Sequence, residues 1–543
     1  MQNAQGMKAI LAAAFLAVLA AGLFVVFARK SARSEAGIAR LEGKRAPTRA
    51  ELAEAADRFF NAPVVRWFDI ELKEPQENAL RQDARTYVRA NVTIDGRRIE
   101  NVGVHLKGRG GSFRRLDEKP GFHIKFDHFT PDLRFEGFKG LLLNNSRQDK
   151  TFFREIVARG VYRDAGLPTP RVSHARVKLN GKYQGLYVLM EVLNKDFLAQ
   201  YFERTDGNLY KPYVRDISMP LPQESGKDWT GADVKKLLAA CEVEDAQARW
   251  RELHKVLDVE QFIRFVAVEM LVAHGDGYVL NRNNYFLYND PKTDRFNIFT
   301  HDLDGAFKNP QLGLVPGWRS IITRAVLQCP QGRWEYRRCV DRLFTEFFTL
   351  ERLEGRLNEA ARRLLSSTTN SAELAEYRQN IEDIRRQITE RHQYLADLLG
   401  RATQQLLPTP GKPDAPLRWT SRAKTGTPRL ESSAATLSIG ITNSPASGGW
   451  AADVFLPPGR YRFEGRVQLV GVGGGAESNT GGAWLGAAGK SSAHVKSATG
   501  DTLLGVDFDV SEGDKALELF CGFDGKAGEA QFSRKSLRVV KLP

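Results

Sequence analysis

The chain has 543 residues, with 79 Lys and Arg against 65 Asp and Glu, and a formal net charge of +14. It is longer than one ordinary hydrophobic core supports, so we expect more than one folded module. The basic residues are scattered among acidic ones without a long basic run, which argues against nucleic acid as the main partner. The four cysteines show no CxxC or Cys/His spacing, so the fold cannot depend on a disulfide framework.

An apolar segment stands near the start of the chain. Residues 9–28 are 20 uncharged residues rich in Ala, Leu, Val and Phe, enough to cross a hydrocarbon core as a helix. We interpret residues 1–30 as a membrane anchor or signal segment, and favour the anchor because no convincing cleavage site follows. The expected location is membrane-anchored or exported, in the cell envelope, with the side of the membrane left open.

A charged helical stalk is predicted for residues 31–63, and a sheet-rich region follows it. Strand patterns cover residues 86–94, 98–107, 121–126 and 138–144. A helix is predicted from Asp149, a suitable N-cap, and is stopped by Gly166 and Pro168. Strands at 173–179 and 185–192 are joined by Asn180-Gly181, a strong hairpin signal.

The pattern becomes helical from Gly231. Residues 259–274 are almost continuously apolar, and amphipathic helices are predicted at 341–365 and 372–399. A β-rich part followed by an α-rich part predicts an α+β fold class, with a divergent two-lobed protein-kinase-like domain over residues 64–405. The N-terminal transmembrane helix precedes this domain.

The rest of the chain predicts a separate module. Residues 406–416 form a proline-rich linker. Residues 417–543 alternate apolar and polar positions in short runs, such as 461–467, 503–510, 516–522 and 536–540, which is typical of an antiparallel β-sandwich. Such domains often bind sugars or proteins, so a carbohydrate or surface ligand is one expectation for the module. A structural or docking role is the other.

Acidic and amide side chains cluster between residues 274 and 304. Asp276 lies in a Gly-Asp-Gly turn after the buried helix, where its carboxylate can be aimed at a hydroxyl group. Asn281, Asn283 and Asn284 follow within eight residues, and Asp302 and Asp304 end the next apolar strand. Phosphoryl transfer needs one carboxylate to orient the attacking hydroxyl, and others, with an amide oxygen, to hold Mg²⁺. Any one of these residues could instead be a helix cap or a turn residue.

Nucleotide-binding candidates lie in the sheet-rich part. A glycine-rich stretch between strands could bring backbone amides to phosphates, or could be an ordinary turn; it comprises Gly108, Arg109, Gly110, Gly111 and Ser112. Lys125 could bind phosphates while Glu155 fixes its position, with Lys107 and Lys119 as competing lysines. Main-chain contacts to an adenine edge are assigned to Met190, Glu191 and Val192.

The ordered motifs resemble the spore coat protein H (CotH) kinase family of atypical protein kinases. The matching segments are RGGS at 109–112, Lys125-Phe126, LLLNNSRQDKTFFREIVARGVYRDAGLPTPR, LNGKYQGLYVLMEV, GNLYKP, DGYVLNRNNYFLY and THDLDGAF. The resemblance implies a divergent kinase fold that binds ATP with Mg²⁺ (or Mn²⁺) and transfers the γ-phosphoryl group to Ser or Thr of an unknown acceptor protein.

The resemblance also implies residue roles. Asp276 looks like the catalytic-loop Asp, Asp302 like the metal-binding Asp, and Asn284 like the metal-binding Asn, with Asn281 as its rival. Asp304 is a further candidate metal ligand. Where the family commonly has Trp before the metal-binding Asp, this chain has His301, which adds a titratable group there.

A second reading comes from another functional class. In it the chain is a catalytically inactive, membrane-tethered assembly or surface-binding protein that acts through its β-sandwich. Binding of Mg²⁺-ATP without transfer would favour that reading. A metal-dependent hydrolase is less attractive, because the histidines show no HExxH or comparable ligand spacing.

Overall fold

The structure is a computed structural model, and it describes residues 48–543 apart from 318, 402–403, 407, 409–415, 443, 473–480, 498–499 and 511–515. The chain divides into two compact units. The first takes in residues 48–156, together with 170–205 and 359–380. The second takes in residues 157–169, 206–358 and 381–543.

The part of the chain up to residue 205 contains seven strands and four helices among its described residues. The strands are β1 Arg66–Glu71, β2 Val88–Ile94, β3 Arg97–Lys107, β4 Gly121–Lys125, β5 Gly140–Asn144, β6 Val172–Leu179 and β7 Lys182–Glu191. The helices are α1 Arg49–Phe60, α2 Glu74–Gln82, α3 Arg154–Asp164 and α4 Lys195–Tyr201, with a short 3₁₀ helix at Gly110–Ser112. The strands predicted here are confirmed, but α3 begins five residues after Asp149.

The seven strands form a closed barrel in the order β1-β2-β3-β4-β5-β7-β6. Six of the seven pairings are antiparallel, and the barrel closes through a parallel pairing of β1 with β6, in which Phe68 lies opposite Val177. The predicted fold class is therefore wrong. A two-lobed kinase-like fold was expected, whereas the sheet of the first unit joins its own edges and leaves no open edge, as closure requires.

Inward-facing side chains fill the barrel. Along β4, Phe122 and Ile124 are fully buried, whereas His123 and Lys125 are only partly buried, as the two-residue period of a strand requires. The aromatic end of α1 packs into the same core, where Phe59 and Phe60 lie against Phe138. Residues 49–60, which were expected in a stalk, thus contribute to the hydrophobic core of this unit.

The Asn-Gly hairpin is confirmed in its detail. Leu179 pairs with Lys182, so Asn180 and Gly181 form a two-residue loop between β6 and β7. Both loop residues have positive φ, 49° at Asn180 and 75° at Gly181. Positive φ at both central positions is the geometry of a type I′ turn, which Asn and Gly adopt more easily than other residues.

The second unit combines helices with a small sheet. Its helices, some of which extend into ranges of the first unit, are α5 Ala232–Cys241, α6 Ala246–Val256, α7 Val259–Leu271, α8 Tyr278–Asn281, α9 Ile321–Leu327, α10 Pro330–Glu346, α11 Leu350–Leu365 and α12 Ser371–Arg401. Its four-stranded sheet is made of β8 Leu209–Tyr210, β9 Gln223–Ser225, β10 Tyr285–Asp290 and β11 Arg295–Thr300, in the order β11-β10-β8-β9. Helix α7 is buried over most of its surface, as its continuous apolar run predicted.

The tail contains two six-stranded sheets that share one buried core. The first consists of β12 Gln404–Gln405, β13 Thr420–Thr425, β16 Ala446–Phe455, β18 Gly482–Ala487, β19 Lys490–Ser491 and β21 Leu517–Gly525. The second consists of β14 Arg429–Ser432, β15 Thr436–Ile441, β17 Gly459–Val470, β20 Thr502–Val510, β22 Gly528–Ser533 and β23 Arg538–Lys541. The four strands predicted in this region correspond to β17, β20, β21 and β23.

The predicted transmembrane helix falls on residues 9–28, which lie outside the described residues. Among the helices that the structure does describe, none combines the length and the apolar character needed to span a bilayer. No described helix supports the predicted membrane anchoring or the cell-envelope location that was inferred from it. Cys329 and Cys339 are separate buried thiols.

Candidate active site

The loop that carries Asp276 begins where α7 ends. Ala273 has a positive φ of 52° and turns the chain, and the His274 N–H donates to the Glu269 carbonyl oxygen at 3.0 Å. The Gly277 N–H then donates to the His274 carbonyl oxygen at 3.2 Å, which closes a tight turn around Asp276. Asp276 is only partly buried. The turn therefore presents its carboxylate at the surface of this unit.

Three asparagine amides hold the Asp276 carboxylate. The Nδ2 of Asn281 donates to Oδ1 at 2.5 Å, and the Nδ2 of Asn283 donates to Oδ2 at 3.2 Å. The Nδ2 of Asn284 donates to Oδ2 and to the Asp276 carbonyl oxygen, both at 3.0 Å. With both carboxylate oxygens accepting, the orientation of Asp276 is fixed. The Oδ1 of Asn284 is left as the atom of that amide suited to a metal ion.

The second acidic segment follows β11. The His301 N–H donates to the Asn284 carbonyl oxygen at 2.8 Å, so the two segments are hydrogen-bonded just before Asp302. The Asp304 N–H lies 3.4 Å from Oδ1 of Asp302 in a tight turn. Asp302 is partly buried, whereas Asp304 is 7% exposed. Asp302 is therefore the more accessible of the two carboxylates.

Gly305 brings this segment against the loop of Asp276. A Cβ atom at Gly305 would lie 3.1 Å from Nδ1 of His274 and 3.7 Å from Cβ of Asp276. Two residues later, the Phe307 N–H donates to the Val272 carbonyl oxygen at 2.8 Å. The structure thus brings together the Asp276 loop and the Asp302–Asp304 turn, which are separate in the sequence.

His274 lies buried between these carboxylates. It is 1% exposed, and burial lowers its pKa to about 4, although the charges of Asp276 and Asp302 oppose that shift. Neither ring nitrogen has a hydrogen-bond partner within the described ranges. A buried neutral imidazole therefore adjoins both acidic segments.

Glu269 on α7 holds the loop of Asp276 in place, a role that the sequence did not predict. Its Oε1 accepts from the Val279 N–H at 2.7 Å and its Oε2 from the Tyr278 N–H at 3.2 Å. Burial raises its pKa to about 8, with the charge of Asp276 acting in the same direction. A signal was present, because Glu269 is the single charged residue between positions 265 and 273 of an apolar run.

Arg159 supports the second segment and was also missed. This fully buried guanidinium on α3 donates to the His301 carbonyl oxygen at 2.6 Å and to Oγ1 of Thr169 at 3.1 Å. Buried charge is costly unless it is hydrogen-bonded. Arg159 therefore fixes the backbone immediately before Asp302. Nothing in the local pattern around Arg159 distinguishes it from a solvated helix arginine.

The glycine-rich stretch lies in the first unit, after β3. Gly108 and Gly110 have positive φ of 106° and 50°. The 3₁₀ helix consists of Gly110, Gly111 and Ser112. The Oγ of Ser112 donates to the Arg109 carbonyl oxygen at 2.9 Å. The stretch therefore has a backbone that depends on glycine at two positions.

The lysines near this stretch differ in their surroundings. Lys125 lies on the outer face of β4. Burial lowers the pKa of the neighbouring His128, and the charge of Lys125 adds to that shift. Lys119 is more deeply placed, with its Nζ about 5 Å from the ring centroids of Phe152 (5.1 Å) and Tyr187 (5.0 Å), and burial lowers its pKa to about 8. Glu155, the proposed partner of Lys125, is 1% exposed in the first turn of α3.

The residues assigned to an adenine edge are at the end of β7. Met190 pairs with Val172 on β6 and with Leu142 on β5. The Glu191 N–H already donates to the Arg171 carbonyl oxygen at 3.0 Å, and the Glu191 side chain accepts from Arg171. The main-chain groups of this stretch thus take part in the barrel, and Val192 is the first residue beyond it.

A protein-family model covers the region that carries all these residues. The model described as CotH kinase protein matches residues 106–395, more than half of the 543 residues. The chain belongs to the CotH kinase protein family. Asp276, Asn284 and Asp302 all lie inside the matched region of this CotH family member.

One curated relative and several solved structures resemble parts of the chain. Inner spore coat protein H of Bacillus subtilis (strain 168) is 23% identical over 329 residues, covering 55% of this chain and 88% of the relative. A structure titled TmCBM61 in complex with β-1,4-galactotriose covers 23% of this chain and 88% of its own, with 14% identity and a TM-score of 0.18.

A second structure gives a similar result. The CBM22-1 xylan-binding domain from Paenibacillus barcinonensis Xyn10C covers 23% of this chain and 87% of its own, with 16% identity and a TM-score of 0.16. With TM-scores this low, neither the fold nor the ligand of these structures is inferred for this chain.

Metal binding at the site depends on more than carboxylates. Within the part of the chain that the structure describes, no group of three or more His, Cys, Asp or Glu is arranged to hold a metal ion. Mg²⁺ commonly takes only one or two protein carboxylates and completes its shell with water and substrate phosphates. Oxygen donors of this kind are present in the Asp302 and Asp304 carboxylates and in the Oδ1 of Asn284.

Proposed function

We propose that this CotH family member transfers the γ-phosphoryl group of ATP to a hydroxyl group of Ser or Thr in an acceptor protein. The observation that carries the proposal is the fixed Asp276 carboxylate, whose two oxygens accept from Asn281, Asn283 and Asn284. A base that is already oriented needs little rearrangement when the substrate arrives. The family, whose model is described as CotH kinase protein, supports the same reaction class.

Asp276 would act on the acceptor hydroxyl. Its carboxylate accepts the hydroxyl hydrogen while the hydroxyl oxygen forms a bond to the γ-phosphorus. The bond from that phosphorus to the β-γ bridging oxygen breaks, ADP leaves, and the proton passes to Asp276. Because three amides hold the carboxylate, the oxygen that receives the proton keeps its direction throughout.

The metal ligands are assigned by donor chemistry. Asp302 and the Oδ1 of Asn284 would hold Mg²⁺ or Mn²⁺, with Asp304 as a further ligand. A bound divalent ion neutralises charge that develops on the transferring phosphate. Asn284 donates to Asp276 through Nδ2 and its Oδ1 would be the atom to hold the ion, so one side chain would link the base and the metal site. Asn281, whose Nδ2 donates to the other carboxylate oxygen of Asp276, Oδ1, is the second candidate.

The test is phosphate transfer from γ-labelled ATP by the full chain with Mg²⁺ or Mn²⁺. We expect Asp276→Asn and Asp302→Asn each to abolish transfer to the protein itself and to a generic acceptor. Asp294→Asn is the matched control, because Asp294 lies in the β10–β11 turn with a positive φ of 52°, which Asn tolerates. Retained transfer in Asp276→Asn would overturn its assigned role.

Absence of transfer by a folded wild-type protein would support the second reading, an inactive assembly or surface-binding protein. Calorimetry with Mg²⁺-ATP distinguishes the two outcomes further. Binding that Asp302→Asn weakens, without transfer, would retain the nucleotide site and remove the reaction. The absence of both binding and transfer would overturn the whole assignment.

A further inference from the structure

Two histidines and a tyrosine form one row on the outer face of the barrel. His105 on β3 lies directly opposite His123 on β4. Tyr87 immediately precedes β2, and its ring centroid lies 4.5 Å from that of His105. Adjacent residues of the strands, such as Val104 and Ile124, belong to the buried core, so the three side chains of the row point away from it. All three are partly buried.

The polar atoms of the row converge. The Nε2 of His105 lies 3.1 Å from Nδ1 of His123, and the Tyr87 hydroxyl oxygen lies 3.1 Å from the same nitrogen. Ligand atoms bound to tetrahedral Zn²⁺ at 2.0–2.1 Å stand about 3.3 Å from one another. The observed separations are close to that spacing, so a small outward movement of the side chains would admit an ion.

The second nitrogen of His105 decides which of its atoms can bind a metal ion. Its Nδ1 is 2.8 Å from the Leu106 carbonyl oxygen, which can only accept, so Nδ1 carries the proton. In the neutral imidazole the lone pair is then on Nε2, the atom that faces His123. Metal-binding histidines commonly donate their other N–H to a backbone carbonyl in this way. His105 is therefore already held in the tautomer that a metal ion requires.

Packing holds the Tyr87 ring in place. The ring meets that of His105 edge-on, at an interplanar angle of 83°, and is stacked on the His128 ring with centroids 4.3 Å apart. His128 approaches the sheet closely because residue 103 is glycine: a Cβ atom at Gly103 would lie 2.6 Å from Cβ of His128. Side chains locked by their neighbours preserve the geometry of a binding site. The Tyr87 oxygen is therefore fixed beside the two histidines.

Neighbouring charges select the kind of ion. Lys107 and Lys125 lie two residues beyond His105 and His123, on the same face of their strands. Their positive charges oppose any cation that is held by charge alone, as Mg²⁺ and Ca²⁺ largely are. Imidazole nitrogen suits Zn²⁺, Cu²⁺ and Ni²⁺ instead. The row therefore favours a transition metal over the Mg²⁺ proposed for the carboxylate site.

We propose that Tyr87, His105 and His123 bind one divalent transition metal ion such as Zn²⁺. The proton between the two rings moves from Nδ1 to Nε2 of His123, so that two nitrogen lone pairs and the Tyr87 oxygen face the ion, and water completes its shell. Because the third ligand is a phenol oxygen, the set is not a group of three or more His, Cys, Asp or Glu, of which the described ranges hold none placed to bind a metal ion. This binding goes beyond the proposed phosphoryl transfer and does not depend on it.

The test is calorimetric titration of the metal-free, untagged full chain with Zn²⁺ in excess Mg²⁺. The Mg²⁺ occupies the carboxylate site around Asp302 and competes poorly for imidazole. We expect the wild type to bind Zn²⁺ at this site and to unfold at a higher temperature when Zn²⁺ is present, because the ion binds the folded state. His105→Gln and His123→Gln should each weaken the binding at least tenfold, and Tyr87→Phe several-fold.

Control variants separate this site from other metal-binding groups. His254→Gln removes an exposed histidine on α6, and Asp302→Asn alters the carboxylate site; both should bind Zn²⁺ as the wild type does. Tyr87→Phe keeps the aromatic ring and removes only the hydroxyl, so it tests the site even if the histidine variants fail to fold. Full Zn²⁺ affinity in the folded histidine variants, or in Tyr87→Phe where these do not fold, would show adventitious binding elsewhere and overturn the proposal. The absence of Zn²⁺ binding by the folded wild type would overturn it as well.

Discussion

The carboxylate of Glu269 fills the space that a side chain on Gly277 would need. A Cβ atom at Gly277 would lie 2.3 Å from Cδ and 2.4 Å from Oε1 of Glu269. Glu269 is fully buried and cannot move aside into solvent. The residue after Asp276 must therefore be glycine, because the Glu269 carboxylate occupies the space that a side chain at position 277 would need.

Gly277→Ala should displace the loop of Asp276. The forced movement should cost about 1–3 kcal/mol of stability, as overpacking does, and should lower the rate of phosphate transfer about 100-fold through misplacement of the base. Gly275→Ala is the matched control two residues earlier, where a Cβ meets nothing within 4 Å. Thermal unfolding and the transfer assay measure the two effects. Equal behaviour of the two alanine variants would contradict this account.

Glu269→Leu should destabilise the same loop by a different route. Leu is of similar size but accepts no hydrogen bond, so the N–H groups of Tyr278 and Val279 lose their acceptor. Each buried unsatisfied N–H costs about 1–3 kcal/mol. Glu260→Leu, at an exposed position in the first turn of the same helix, is the control. A urea midpoint for Glu269→Leu equal to that of the Glu260 variant would refute the role of Glu269.

His174 makes the stability of the first unit depend on pH. Its ring is fully surrounded, its Nε2 donates to the Phe152 carbonyl oxygen at 3.0 Å, and burial lowers its pKa to about 4. The unfolded chain binds a proton at this residue below about pH 6.5, whereas the folded protein does not until about pH 4. The contribution of His174 to the free energy of unfolding is therefore fully present above pH 6.5. It is lost as the pH falls towards 4, which lowers the free energy of unfolding by about 3 kcal/mol.

The measurement compares urea unfolding at pH 7 and pH 4 in two variants. His174→Gln keeps a donor for the Phe152 carbonyl but cannot titrate, so its loss of stability on acidification should be smaller than that of the wild type. His254→Gln alters an exposed histidine and should keep the full wild-type loss. If both variants behave like the wild type, His174 does not govern this pH dependence.

Lys119 should contribute more to nucleotide binding than Lys125. The Nδ2 of Asn145 donates to the carbonyl oxygens of Ser112, at 3.1 Å, and Lys119, at 2.9 Å, so this lysine is tied to the glycine-rich stretch. The Lys119 cation, whose pKa burial lowers to about 8, would gain from a phosphate that offsets its burial. Lys119→Met should weaken Mg²⁺-ATP binding about tenfold or more.

Lys125→Met is the internal comparison in the same calorimetric titration. Its outward side chain on β4 should leave the affinity within a few-fold of wild type. A larger loss in Lys125→Met than in Lys119→Met would restore the assignment made from the sequence. Thermal unfolding of both variants separates a loss of binding from a loss of structure.

Features that depend on neighbouring residues could be predicted from the sequence. The Asn180-Gly181 turn was predicted because two adjacent residues that tolerate positive φ leave the chain few alternatives. The strands at 98–107 and 503–510 were predicted from alternation, and the structure has them at Arg97–Lys107 and Thr502–Val510. The order of Asp276, the asparagines and Asp302 was equally visible, because each lies at the end of an apolar run.

Closure of the barrel was decided only by the tertiary structure. The pairing of Phe68 with Val177 joins strands more than a hundred residues apart, and no local pattern records that contact. An open and a closed sheet need the same alternation of apolar and polar residues. The strands could therefore be predicted from the sequence, whereas the way they assemble was predicted wrongly. Only the register of strands from distant parts of the chain distinguishes the two.

The supports of the candidate site depended on tertiary structure in the same way. Gly305 meets His274 across a gap of 31 positions, and Arg159 reaches the His301 carbonyl from a helix 142 positions earlier. The sequence determined which side chains have the right chemistry, because chemistry belongs to the residue. Which of them meet was decided by packing, because the position of a side chain depends on contacts that the whole chain makes at once.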